Sequence, residues 1–295
     1  MDSTTQQIKA DFEHYLFNEA GITSRGPVST YIHALDVLCS ALEKTPGASP
    51  LPSNVWLIES PSDLMELRLF VIEQQHAYVS ERTGIFSQLR SVGSCYFKNR
   101  FCSAAVRHLA AYRQTRRYEA RLQNAFEAAN SGTEVAAKAK TAKLGLSTCF
   151  IPERINPNSK EGKDAISTAR RRINQSVFRR WIVGLYGNAC CVTGLNVPDV
   201  LQASHIVSWA SDSRNRMNPS NGLCLSATYH AAFDRHLISF DDDYRMVLSS
   251  QIRDYCTHEI CANYFLKFEG ARIHLPSRFL PDRELLAKHR GKLVS

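Results

Sequence analysis

Residues 200 to 235 read VLQASHIVSWASDSRNRMNPSNGLCLSATYHAAFDR, and the order of patterns in this stretch decides the fold of the second half of the chain. Val200 to Val207 is a short, largely apolar run of strand character, with His205 near its end. The polar loop SDSRNRMNPSN follows. Gly222 to Leu225 then gives a second short strand, and Ala227 to Arg235 a short helix. On that helix His230 and Asp234 stand at i and i+4, which share a face, so imidazole and carboxylate can hold one metal ion between them. His205, on the facing strand, is left to act as a base. Asn221-Gly222 reads as a turn and as part of the same constellation.

The surrounding residues extend the pattern. FRRWIVGLYGNACCVTG is an arginine-rich helix end followed by Tyr and a Cys-x-x-Thr-Gly turn. ASHIVSW, NPSNGLCLSATYHAAFDRHLISFD and the tail EGARIHLPSRFLPDRELLAKHR complete a joint pattern over about residues 170–292. Together these stretches resemble the HNH nuclease family. The resemblance implies an α+β chain whose C-terminal domain is a ββα-metal fold, a two-stranded ribbon and a helix around one ion. It also implies an endonuclease that hydrolyses DNA phosphodiesters to 5′-phosphate and 3′-hydroxyl ends.

Carried over residue by residue, the resemblance makes His205 the general base, for which an imidazole pKa near ~6.5 is suited at neutral pH. Asn221 would hold the loop that aims His205, or touch the metal. His230 and Asp234 would bind the ion: Mg²⁺ or Mn²⁺ for a water-rich site, with Zn²⁺ or Ni²⁺ as alternatives. Many members place an Asp or His ligand just before the catalytic histidine; here Ser204 stands there, a poor ligand. The shell is then completed by water and substrate oxygens, or by a carboxylate such as Asp212 or Asp199. Cys190 begins a knuckle with one thiol missing, so most of the cysteines read as small core hydrophobes rather than zinc ligands. Phe233 and Trp209 read as core of the metal fold, and His14, His33, His76, His108, His258 and His289 as structural or solvated.

Charge extends the reading outward. Residues 1–130 carry 13 basic and 13 acidic side chains, whereas residues 131–295 carry 23 and 15, so the whole surplus of +8 lies in the second part. A basic amphipathic helix from about Ser167 to Leu185 contributes Arg171, Arg172, Arg179 and Arg180. With Arg214, Arg216 and Arg235 they are candidates for contacting a polyanion, here double-stranded DNA; a solvated helix face is the plain alternative for the helix. Downstream, Leu237–Phe240 and Arg245–Leu248 read as a hairpin turning at Asp241–Asp243.

The N-terminal part reads as helical. Phe12, Tyr15, Leu16 and Ala20 follow one helical stripe, and Tyr31, Leu35, Leu38, Cys39 and Leu42 a second behind Ser29 or Thr30. Ser60-Pro61-Ser62-Asp63 opens a third with Leu64, Leu67, Leu69 and Val71, and a last helix runs from about Tyr96 to Arg121. The expected organisation is a helical domain over 1–125 that recognises DNA or a partner, a linker of Ala, Lys, Thr, Ser and Gly over 126–150 that is in part helical, and the nuclease domain over 151–295.

With 44% hydrophobic and 22% charged residues in a chain of 295, wholesale disorder is excluded. No apolar run reaches the ~20 residues of a membrane helix. The polar start and the odd number of cysteines suit a cytoplasmic protein with reduced thiols, single or as a homo-oligomer. The restriction-like lead-in and tail suggest bacterial defence. Two other readings stay open: a DNA-binding module with a decayed metal site, for which Ser204 speaks, and an effector nuclease restrained by its N-terminal domain.

Overall fold

Short polar residues set where the helices begin. In the computed structural model, which describes residues 2–89, 92–152 and 154–294, the Asp2 carboxylate accepts from Thr5 N at the start of α1 (Ser3–Asn18). Helix α2 (Arg25–Lys44) starts after Ser24, a turn earlier than Ser29 or Thr30. At α3 (Pro61–Glu81) the Ser60 hydroxyl accepts from Asp63 N, and Pro61 sits in the first turn, where its missing N–H has no partner to lose. The short α4 (Cys95–Lys98) and the long α5 (Phe101–Glu127) follow.

The chain divides into two compact units, Met1–Ala120 with Lys143–Ile173, and Arg121–Ala142 with Asn174–Ser295. In the first, α1, α2, α3 and most of α5 bury Phe12, Leu16, Leu35, Leu38, Leu64, Leu67, Val71, Val106 and Leu109 in one core. Phe12 meets Trp56 and Tyr112 edge-on at centroid distances of 5.6 and 5.8 Å. Leu69, expected in the buried stripe of α3, instead faces solvent at 59% exposure, because it lies off the arc shared by Leu64, Leu67 and Val71. Arg116 holds Glu19 and Glu119 at 2.7 and 2.6 Å, and Glu119 is buried.

Segment 126–150, read from its composition as a partly helical linker, contains a helix. Its residues form α6 (Gly132–Thr141), with Val135, Ala136 and Ala139 buried. The local sequence explains it: Ser131 Oγ accepts from Glu134 N while Glu134 accepts from Asn130 N, and Lys138 pairs with Glu134 one turn on. Gly132 lies so close to the loop at Asn218 and Ser220 that a Cβ would fall 2.1 Å from Asn218 Oδ1.

The second unit continues with the C-terminal part of α7 (Lys160–Leu185). Strands β1 (Leu201–His205) and β2 (Gly222–Ser226) pair antiparallel, His205 opposite Gly222 and Ser204 opposite Leu223. Helix α8 (Ala227–Asp234) follows directly, and β3 (Ile238–Phe240) pairs antiparallel with β4 (Met246–Leu248). Helices α9 (Ser250–Tyr255), α10 (Glu259–Tyr264) and α11 (Arg283–Arg290) close the chain. Helices thus dominate and the strands are confined to two small ribbons, an α+β fold. Cys190, Cys191 and Cys224 are buried, and Cys191 N donates to Cys224 O at 2.7 Å. Burial pushes the Cys191 thiol well up and that of Cys224 to about 12, so both are protonated core groups rather than thiolates. Among the described residues no helix is long and apolar enough to cross a membrane.

Candidate active site

Alternation along β1 sends consecutive side chains to opposite faces of the ribbon. Ser204 is fully buried, and its Oγ lies 2.6 Å from His230 Nδ1 on α8. His205 takes the other side, where its ring stacks on Phe178 of α7 at a centroid distance of 4.0 Å and an interplanar angle of 13°. Trp209 closes on the His205 ring edge-on at 5.5 Å. The imidazole is thereby packed face-on against one aromatic ring and at right angles to another.

One nitrogen of His205 has a fixed role. Nε2 lies 3.0 Å from the Arg216 carbonyl oxygen, and a carbonyl only accepts. Nε2 therefore carries the proton, and Nδ1 holds the lone pair. Burial pulls the pKa of His205 below the ordinary imidazole value, against the opposing effects of the Arg216 carbonyl and the Asp234 charge. The ring is neutral at pH 7 and basic at Nδ1.

Asn221 fixes the loop that supplies this carbonyl. It is 1% exposed. Its Oδ1 accepts from Val207 N at 2.8 Å, and its Nδ2 donates to the carbonyls of Val207 and Asn215, both at 3.0 Å. One amide side chain thus clamps the residues just after His205 to those just before Arg216. Gly222 does not sit here for a left-handed turn. A Cβ on it would fall 2.3 Å from Ile182 Cδ1 and 2.9 Å from Phe178 Cζ, so glycine is what lets α7 pack flat on β2 and bring Phe178 under His205.

On α8, His230 Nε2 and Asp234 Oδ2 are 3.5 Å apart, and the two side chains are partly exposed, at 32% and 52%. Two donors each ~2.1 Å from one ion at a tetrahedral angle stand ~3.4 Å apart. The pair therefore fits a divalent ion in spacing and in its mixed nitrogen and oxygen chemistry. Among the described residues no cluster of three or more His, Cys, Asp and Glu side chains is assembled to hold a metal. Neither carboxylate suggested as a further ligand joins the pair. Asp212 is drawn into its own loop, accepting from Arg214 N at 2.9 Å and Asn215 Nδ2 at 2.8 Å, and Asp199 lies in the exposed turn before β1.

The arginines divide. Arg179 NH2 donates to the carbonyls of Pro198 and Leu201 and so anchors the start of β1. Arg216 Nε donates to Trp209 O at 2.8 Å, with the guanidinium over the Trp209 ring. Arg235 NH1 returns to Ala231 O. Arg214 extends outward, its side chain 85% exposed and only loosely paired with Asp212 at 3.7 Å. Arg180 lies in the unit that holds His205, whereas Arg171 and Arg172 belong to the other unit. Phe178 and the Arg216 carbonyl were not singled out from the sequence. For Phe178 the signal was its stripe with Ile182 on α7.

Residues 190–241, from the buried Cys190 through β1, β2 and α8 to the turn after β3, match the HNH endonuclease family. The match is confined to this segment, which is thus similar to the domain of HNH nucleases. No curated protein matches the chain.

Proposed function

We propose that the chain is a divalent-metal-dependent endonuclease hydrolysing DNA phosphodiester bonds. The observation that carries this reading is His205, a neutral imidazole with one nitrogen held by the Arg216 carbonyl and the other basic, next to a His230–Asp234 pair spaced for one ion. In this reading Nδ1 of His205 takes the proton from the attacking water. Asn221 keeps the ring aimed through the loop it clamps, and Phe178 and Trp209 limit ring rotation. His230 and Asp234 would hold the ion, which would supply stabilisation of negative charge on the scissile phosphate and the leaving oxygen. Arg214, exposed on the loop between His205 and Asn221, is suited to a phosphate contact, whereas Arg179 and Arg216 support the scaffold. The resemblance of the lead-in and tail to restriction-type members supports a role in defence against foreign DNA, with the helical N-terminal unit recognising DNA or a partner.

The test is nicking of supercoiled plasmid with Mg²⁺ or Mn²⁺. Cleavage by the full chain, blocked by chelator and lost in His205→Ala while DNA binding persists, is expected. DNA binding without cleavage under any divalent metal would identify a DNA-binding module instead.

A further inference from the structure

Ser204 occupies the strand position before the base, and its own hydroxyl is too weak a donor to replace a carboxylate or imidazole ligand. The structure gives it other work. Its side chain is wholly buried, and its Oγ is 2.6 Å from Nδ1 of His230 across the β1–α8 packing. The opposite nitrogen, Nε2, is the one beside Asp234. A neutral imidazole has one N–H and one lone pair, so the partner at Nδ1 decides whether Nε2 offers a lone pair or a proton.

Resting on the nuclease reading, we infer that Ser204 is a positioning residue for His230. With an ion present its oxygen would accept the Nδ1–H, which would hold the imidazole plane and keep the Nε2 lone pair aimed at the ion shared with Asp234. A hydroxyl suits this place because it also donates. When the site is empty of metal and Nε2 carries the proton toward the Asp234 carboxylate, the same Ser204 O–H can turn and donate to Nδ1. The side chain follows both tautomers of His230 without moving a heavy atom, which neither Ala nor a carboxylate can do. Ser204 is therefore not the mark of a decayed site; it exchanges a direct ligand for an orienting contact, leaving a two-residue ligand set that water and substrate oxygens complete.

The experiment uses the full chain with ¹⁵N-labelled histidine and Zn²⁺ as a diamagnetic probe. Long-range ¹H–¹⁵N spectra report the tautomer, and calorimetry reports affinity. On adding Zn²⁺ to the natural protein, His230 is expected to show a metal-bound Nε2 and a protonated Nδ1. Ser204→Ala should weaken Zn²⁺ binding 10- to 100-fold, with Ser204→Thr retaining the affinity. In cleavage, Ser204→Ala should raise the metal concentration for half-maximal rate by a similar factor, with a rate at saturating metal within a few-fold of the natural protein. His205→Ala should instead lose rate at every metal concentration. Unchanged Zn²⁺ affinity in a folded Ser204→Ala, a bare Nδ1 in the metal complex, or His230 signals that zinc leaves unmoved would each overturn the inference. Should the tautomer and affinity results hold while the natural protein cuts no DNA, the nuclease reading fails and the positioning role stands.

Discussion

At His205 two opposing effects meet on one ring, and their balance sets a pH dependence. Burial between Phe178 and Trp209 lowers its pKa, while the Arg216 carbonyl and the Asp234 charge raise it by less. The base form is lost only as pH falls through this lowered value. The acid limb of the single-turnover cleavage rate, measured at saturating metal, should therefore have its midpoint below the ~6.5 of a free imidazole. A midpoint above that value would mean that the ring is not the buried, neutral base described. Asn221 gives a second expectation at this scale. Asn221→Ala removes three hydrogen bonds and leaves Val207 N and two carbonyls to find water, at ~1–3 kcal/mol for each group that stays buried and unsatisfied. Asn221→Asp keeps the acceptor for Val207 N but sets a carboxylate against the carbonyls of Val207 and Asn215. Both variants should lower the urea midpoint and the cleavage rate together, and a fully active, equally stable Asn221→Asp would refute the clamp. Much at this scale was legible beforehand: the i, i+4 spacing alone puts His230 and Asp234 on one turn of α8. What spacing could not supply was the partner of each nitrogen, because the Arg216 carbonyl and the Ser204 hydroxyl reach the rings through tertiary packing.

Among the elements, the contact of α7 with the β1–β2 ribbon does the most to shape the site. Phe178 and Ile182 lie on the backbone of Gly222, and the same Phe178 supports the His205 ring. Gly222→Ala should cost ~1–3 kcal/mol by overpacking and also lower activity, because the helix must lift and take Phe178 with it. In an Ile182→Ala background the same substitution should cost clearly less, since the atom it strikes first is gone; chemical denaturation of the four proteins measures the coupling. Strictly additive losses would show that the helix does not rest on Gly222. The pattern Asn-Gly invites a reading as a turn, and the strand does begin there, but Gly222 has an ordinary extended backbone, φ −130°. Its need for glycine comes from a helix distant in sequence, so no local pattern could reveal it. Segment 132–141 teaches the complementary lesson. Its Ala, Lys and Thr content suits a partly helical linker, and what places the helix start is the pair Ser131 and Glu134, with Lys138 four residues beyond Glu134.

For the whole molecule the consequence is that α6 belongs to the same compact unit as residues 190–241. Val135 and Ala139 are buried, and Arg278 NH2 donates to Ala129 O at 2.6 Å within the same unit. A fragment of residues 146–295 should therefore unfold at lower urea than one of residues 121–295, and equal midpoints would make α6 dispensable. Acid should act on both units at once, through histidines that lie outside the reaction. In the first unit His108 is held down to about 3, chiefly by burial and secondarily by Arg107, whose guanidinium donates to Nε2 at 3.0 Å. In the second, His289 is held down to about 4 by burial first and His236 next. Its Nε2 donates to Phe233 O, its Nδ1 accepts from Ser239 Oγ, and its ring stacks on Phe233 at 3.7 Å. Both rings are neutral when folded, while the unfolded chain takes up a proton on each near ~6.5. The unfolded state then binds more protons, so stability is greatest above that pH and falls with acid, down to about 4 for His289 and about 3 for His108. The slope is up to ~1.4 kcal/mol per pH unit for each histidine. Urea denaturation at pH 7.5, 6 and 5 reads this largely before most carboxylates titrate, and His289→Gln, which can still donate to Phe233 O, should flatten the slope. Stability unchanged between pH 7.5 and 5 would show that these imidazoles are not buried as neutral rings.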